Sequence, residues 1–191
     1  RSEFILKVLK TELELHPKQQ VMILAHNKIL LKYLYDSIEH REIATVGYYV
    51  GGMKEKALKE TETKQVVIAT YAMAEEALDI KTLSALILAT PRSDVTQSVG
   101  RILRMKHEFP VVYDIIDQHD FFQTQYYKRH RFYKKCDYKI LQCSCTDFNS
   151  KEEEYKWKTV YNPKFKGKNE DKNTIGKPGS SLLKGKCMIS L

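Results

Sequence analysis

ALILAT, residues 85–90, is followed within four residues by DVTQSVGRILR, residues 94–104. The first segment is a short continuous apolar run, the pattern of a strand buried on both faces. The second has helical periodicity: Val95, Val99 and Ile102 form one face, while Gln97, Gly100 or Arg101, and Arg104 fall on the other at i, i+3 or i+4, and i+7. Asp94 or Ser93 is suited to cap this helix after Pro91. A glycine inside a helix costs about 1 kcal/mol relative to alanine, so Gly100 next to Arg101 implies a close approach of ligand or neighbouring domain. Two guanidiniums aimed at one point repel unless an anion joins them, and a triphosphate matches their bidentate geometry. The same pattern taken alone also describes an amphipathic helix with solvated arginines.

The alternation extends in both directions. Residues 3–14 have helical spacing up to Pro17, VMILA (21–25) reads as strand and KILLKYLYDSIE (28–39) as helix. ATVGYYV (44–50) reads as strand, KEKALKET (54–61) as polar helix, VVIAT (66–70) as strand and VVYDII (111–116) as strand. A long helix is expected over 118–140. Strands alternating with helices predict βαβ units, hence an α/β fold with a mostly parallel sheet covered by helices on both faces. In such sheets ligands gather beyond the carboxyl ends of the strands. The polar residues do follow the apolar runs there: His26 and Asn27, Gly51 and Gly52, Thr70, and Pro91 to Asp94.

Composition narrows the function classes. The chain has 191 residues, 42% of them hydrophobic, and no run approaches the roughly 18 apolar residues of a membrane span. A soluble protein without a membrane partner is expected. A net charge of +8 favours a polyanionic partner. Cys136, Cys143, Cys145 and Cys187 include no C-x-x-C pair, which points to free thiols in a reducing, intracellular compartment. Cys143 and Cys145 would need partners elsewhere to hold a metal, and no metal site is expected. The chain starts without an initiating Met, so a fragment is expected. QYYKRHRFYKK (125–135) interleaves Tyr126, Tyr127, Phe132 and Tyr133 with Lys128, Arg129, Arg131, Lys134 and Lys135. Rings that stack and cations that neutralise phosphate are what single-strand binding uses, although a helix packing its rings inward has the same composition. Beyond Leu141 the composition turns to Lys, Asn, Gly and Ser, giving an expected division into 1–141 and a basic, partly irregular extension, 142–191.

These segments together resemble superfamily-2 helicases. QSVGRILR resembles motif VI, in the form found in XPB-type repair helicases, the phage UvsW helicase and related helicases of large DNA viruses. In the same order upstream, VMILAHNKILLKYL is similar to motif IV, YYVGGMKEKA to the glycine segment after it, and VVIATYAMAEEALDIKTL to motif V. VVYDIIDQ is similar to the strand that follows motif VI.

The resemblance implies a RecA-like three-layer domain, the second of two in an ATP-dependent motor, with residues 1–141 as that domain. It implies that Arg101 and Arg104 reach ATP held by the partner domain, Arg104 as the finger on the γ-phosphate, with Gln97 and Gly100 beside the phosphate. Thr70 resembles the motif V threonine on the nucleic-acid backbone, and Glu76 and Asp79 the acidic positions that order that loop and touch the nucleotide site. His26, Asn27, Gly51, Gly52 and Lys54 resemble loops that grip phosphate. Motif V departs from pattern at Ala77, where the family usually carries Gly. The chain has no G-x-x-x-x-G-K-[ST] and no acidic magnesium motif, so ATP and Mg2+ are expected to be bound mainly by an N-terminal RecA-like domain of the same protein, and this segment alone is expected to be inactive. The implied substrate is duplex DNA or a transcription complex, with RNA as the alternative. A non-enzymatic nucleic-acid-binding module on the same fold is the rival from another class. A viral source would place it in host cytoplasm or virion, a cellular one in the nucleus, and the segment is expected to be a monomer.

Overall fold

Val21, Ile23 and Ala25 pack into one apolar cluster and Met22 and Leu24 into another, so the strand they share is buried on both faces. This computed structural model describes residues 1–76, 80–102, 107–149, 157–163 and 186–190. In chain order the elements are α1 (Ser2–Leu15), β1 (Gln20–Ala25), α2 (Lys28–His40), β2 (Val46–Tyr49), α3 (Glu55–Glu62), β3 (Val66–Thr70), α4 (Tyr71–Glu76) and β4 (Leu83–Leu88). They continue with α5 (Thr96–Ile102), β5 (Val111–Ile116), α6 (Asp120–Lys135), β6 (Ile140–Ser144), α7 (Cys145–Asn149), β7 (Lys158–Tyr161) and β8 (Lys186–Ser190).

The strands form one sheet in the order β2-β3-β1-β4-β5-β8-β6-β7, parallel throughout except for the β6–β7 pair. Side chains alternate across each pleat. On one face Phe4, Val8 and Leu9 of α1, Leu31, Leu34 and Ile38 of α2, and Phe148 of α7 cover Val21, Ile23, Ile68 and Ile87. On the other, Tyr71 and Ala74 of α4, Val95 and Val99 around α5, and Tyr126 and Tyr133 of α6 cover Met22, Leu24, Leu86 and Leu88. The two layers of helix around a mostly parallel sheet are the expected α/β, RecA-like architecture.

One expectation changes. The long helix ends at Lys135, because Asp137 takes a left-handed backbone, φ 55°, and the Tyr138 amide donates to the Tyr133 carbonyl at 3.0 Å. That left-handed cap stops the helix and releases Ile140 into β6. Beyond residue 141 the chain adds the rest of β6 and β7 to the sheet, and β8 lies between β5 and β6. Among the described residues no helix is long and apolar enough to cross a membrane.

Candidate functional site

Register fixes which loops meet. Ala25 pairs with Thr70, Leu24 with Leu88 and Tyr49 with Ala69, so β1, β2, β3 and β4 end side by side. The segments that follow them, starting at His26, Val50, Tyr71 and Ala89, share the carboxyl edge of the sheet, where the expected site residues fall.

His26 and Asn27 leave β1 exposed. Asn27 caps α2, its Oδ1 accepting the Ile29 amide at 2.8 Å, so its carboxamide is already engaged by the helix. The His26 amide donates to Thr90 Oγ1 at 3.0 Å, and its ring packs against Tyr71 with centroids 4.6 Å apart and planes tilted by 36°. Partial burial, with the charge of Arg92 added, holds the His26 imidazole below its ordinary range. Thr70, half-buried, ends β3 beside it.

Gly51 and Gly52 are exposed, and Gly52 has φ 88°, a left-handed turn that a side chain strains. Lys54 is exposed and precedes α3 without capping it through its side chain.

The turn between β4 and α5 carries a residue that sequence reasoning passed over. The Arg92 guanidinium lies 5.0 Å from the centre of the Tyr71 ring and pairs with Glu75 at 2.9 Å. Tyr71 donates its hydroxyl to the Thr90 carbonyl at 2.7 Å. His26, Tyr71, Arg92 and Glu75 thus tie the loops after β1, β3 and β4 into one cluster. The sequence signal was available: Arg92 stands in a strand-to-helix turn at the edge where ligands collect.

Asp94 Oδ1 accepts the Thr96 amide at 2.9 Å, the expected cap, and the hydrogen bond holds its carboxyl below the ordinary range. Val95, Ser98 and Val99 are buried, whereas Gln97 and Gly100 face outward. A Cβ built on Gly100 would meet nothing within 4 Å, so no described part of this chain requires glycine there. Arg101 lies on α5, and its side chain is outside the described set, as is that of Glu76 on α4. Arg104, Asp79 and Ala77 lie outside the described residues.

One expected nucleic-acid contact is overturned. Arg129 is 1% exposed, with Nε 2.7 Å and Nη2 2.8 Å from the two Asp114 oxygens, and it donates through Nη1 to the Arg92 carbonyl at 2.5 Å. Burial disfavours its charge, but the charge and hydrogen bonds of Asp114 outweigh that and hold it firmly protonated. A guanidinium enclosed in this way has no access to a strand. Its position could have been read: Tyr126, Arg129 and Tyr133 fall at i, i+3 and i+7 on one face, and Asp114 interrupts an otherwise apolar strand. Arg131, Lys134 and Lys135 are exposed on the opposite face with Tyr127 and Lys128. Lys134 lies 5.5 Å from the Tyr161 ring.

Among the described residues no group of three His, Cys, Asp or Glu side chains could hold a metal. Cys136, Cys143 and Cys145 form no disulfide among the described residues, and Cys143 is buried.

A scan against models of known protein families finds no match. The chain is 37% identical over 145 residues to "Putative ATP-dependent RNA helicase L396" of Acanthamoeba polyphaga mimivirus, covering 73% of this chain and 28% of that protein. It is 29% identical over 136 residues to "Putative ATP-dependent RNA helicase QP509L" of African swine fever virus, covering 66% of this chain and 26% of that protein. The chain therefore spans little more than a quarter of the length of these curated relatives. Its fold is similar to that of the Pyrococcus furiosus Hef helicase domain, with a TM-score of 0.53 at 18% identity over 65% of this chain and 27% of the other. These relationships support a helicase-type domain with a RecA-like fold.

Proposed function

We propose that this chain is the second RecA-like domain of an ATP-dependent superfamily-2 helicase or translocase, of the type found in large DNA viruses. The observation that carries the proposal is the outward face of α5. It follows the turn after β4, is capped by Asp94, and presents Gln97 and Gly100 beside open space at the edge where the loops after β1, β2 and β3 also lie. Arg101 follows on the same helix and Arg104 three residues later.

The open space at Gly100 fits a phosphate-bearing group approaching from a second domain. When bound there with Mg2+, ATP supplies the hydrolysable phosphoanhydride. In this reading Arg104, with Arg101 beside it, stabilises charge on the transferred phosphoryl group, an effect worth roughly 10³–10⁵ in rate. Gln97 and Gly100 flank the phosphate, and Glu76 and Asp79 couple the nucleotide to the loop after β3. Thr70, His26, Asn27, Gly51, Gly52 and Lys54 line the path of the nucleic-acid backbone, with Arg131, Lys134 and Lys135 as an outer tract. Contacts to backbone impose no sequence preference. The N-terminal RecA-like domain supplies the phosphate-binding loop that residues 1–191 lack. Residues 1–141 form the motor unit and 142–191 its extension, in a reducing intracellular setting.

The names of both viral relatives favour RNA as the substrate. DNA or a transcription complex is the second reading, favoured by the form of QSVGRILR.

The test is ATP turnover by the longer protein that carries this domain, with single-stranded RNA, single-stranded DNA or duplex DNA added, in wild type and Arg104→Ala. Turnover stimulated by one of these and lost in the variant, with nucleotide still bound, supports the finger and ranks the substrates. Turnover absent from wild type, with binding that depends only on salt, favours the non-enzymatic module.

A further inference from the structure

The opposite edge of the sheet holds a second concave site. The segments entering β1, β4 and β5 converge there around a cavity of about 640 Å³, within the roughly 300–1,000 Å³ of small-molecule sites. Two polar atoms on its lining residues are buried without a hydrogen-bond partner among the described residues: Gln19 Oε1 and His107 Nε2. Gln19 is 8% exposed and is held in place because its Nε2 donates to the Phe109 carbonyl at 2.5 Å. A fixed, buried carbonyl oxygen costs free energy unless a donor reaches it.

The rest of the wall specifies what that donor belongs to. The Phe109 ring is 50% exposed, with the His16 ring lying 4.8 Å from it at 30°, which continues an aromatic surface into the cavity. His16 is fixed in turn, since its Nδ1 lies 3.0 Å from Glu12, a carboxylate 1% exposed that also accepts the Tyr113 hydroxyl at 2.5 Å. Lys18 and Lys81 line the rim, both exposed and neither paired with a described residue, against one carboxylate, Glu108. A ligand that satisfies this wall has a flat ring for Phe109, an N–H for Gln19 Oε1, a second polar ring edge for His107, and an anionic group for the lysines.

We propose that this cavity binds a nucleobase together with its phosphate, as a free nucleotide or as the end of a nucleic-acid strand. The site lies at the amino ends of β1, β4 and β5, across the sheet from α5's capped start, and does not depend on the proposed role of Arg104. Base recognition requires the buried acceptor and the ring; charge alone would need only the lysines.

The test uses the 191-residue chain and two-dimensional NMR, titrating adenosine monophosphate, a short single-stranded oligonucleotide with a terminal phosphate, phenyl phosphate and inorganic phosphate. The expected result is a saturable shift of the Gln19 side-chain amide, the His107 ring and the Phe109 backbone with the nucleotide or the oligonucleotide, at least tenfold tighter than with phenyl phosphate. Adenosine monophosphate binding as tightly as the oligonucleotide identifies a free nucleotide as the source, and tighter oligonucleotide binding identifies a strand end. Phe109→Ala and Lys18→Glu/Lys81→Glu alter exposed groups, so the fold is retained, and each is expected to weaken binding at least fivefold. Equal affinity for phenyl phosphate, shifts reproduced by inorganic phosphate, no shift at Gln19 and His107 up to millimolar nucleotide, or binding unchanged in both variants would each overturn the proposal.

Discussion

The two oxygens of Asp114 on β5 hold Arg129 of α6 at 2.7 and 2.8 Å, with both side chains 1% exposed. The same guanidinium donates to the Arg92 carbonyl at 2.5 Å, and Tyr133 donates its hydroxyl to Asp114 Oδ2 at 3.0 Å. A strand, a helix and the turn that leads into α5 therefore meet on one enclosed charge pair.

Removing one member leaves the other charged and buried without its counter-charge, a loss of about 3–5 kcal/mol. Arg129→Met and Asp114→Asn are each expected to lower stability in urea denaturation by an amount in that range, whereas Lys135→Ala, on the exposed face, shifts it by less than about 0.5 kcal/mol. A loss below about 1 kcal/mol for both buried variants would show that the pair is not enclosed in solution.

Two glycines behave oppositely. A Cβ on Gly47 would stand 2.8 Å from Thr61 Oγ1 and 2.9 Å from Thr61 Cγ2, and that threonine is 4% exposed with its hydroxyl donated to the Tyr48 carbonyl. Gly47→Ala is expected to cost about 1–3 kcal/mol as α3 is pushed off β2. Gly100→Ala meets no such neighbour and is expected to stabilise the isolated chain by up to about 1 kcal/mol while slowing ATP turnover of the longer protein. Unchanged turnover would argue against close approach at α5.

Acid weakens the carboxyl edge through His26. Burial, with Arg92 beside it, places its folded pKa below the unfolded value of 6.5, so the unfolded chain binds more protons. Stability is full above about pH 6.5 and falls as the pH drops through 6.5 toward the folded pKa. NMR titration is expected to give a His26 midpoint below 6.5 that rises in Arg92→Ala; a midpoint at or above 6.5 in wild type contradicts the packing on Tyr71.

At lower pH Glu3 titrates. Hydrogen bonds from Arg41, then Tyr33, depress its carboxyl from 4.5 to about 2. The stabilising contribution is present above about pH 4.5 and is lost as the pH falls toward 2. Carboxyl chemical shifts in Arg41→Ala should show Glu3 titrating close to its ordinary range, and a wild-type midpoint already near 4.5 would mean the pair does not persist.

Much of the molecule was legible because local patterns and global packing agree. VVIAT and VVYDII are strands over the residues their apolar runs mark, and α5 starts behind Asp94 as its capping chemistry predicts. Asn27 caps a helix in the loop where it was expected to face phosphate, an engagement of its carboxamide that its position in the sequence alone does not reveal. The strands β6, β7 and β8 were missed because short segments among Lys, Asn and Gly carry little periodicity, and their place in the sheet is decided by long-range pairing.

The alternation of strands and helices and the edge at which polar residues collect could be read from the chain alone, since both follow from side-chain periodicity and chain direction. Which cations are exposed depended on packing. Arg129 and Arg131 are two residues apart on one helix, so about 200° of rotation sends the first to Asp114 and the second to solvent. Only the fold, likewise, brought Gln19, His107 and Phe109 to one cavity, because β1 and β5 flank β4 in a sheet whose order does not follow the chain.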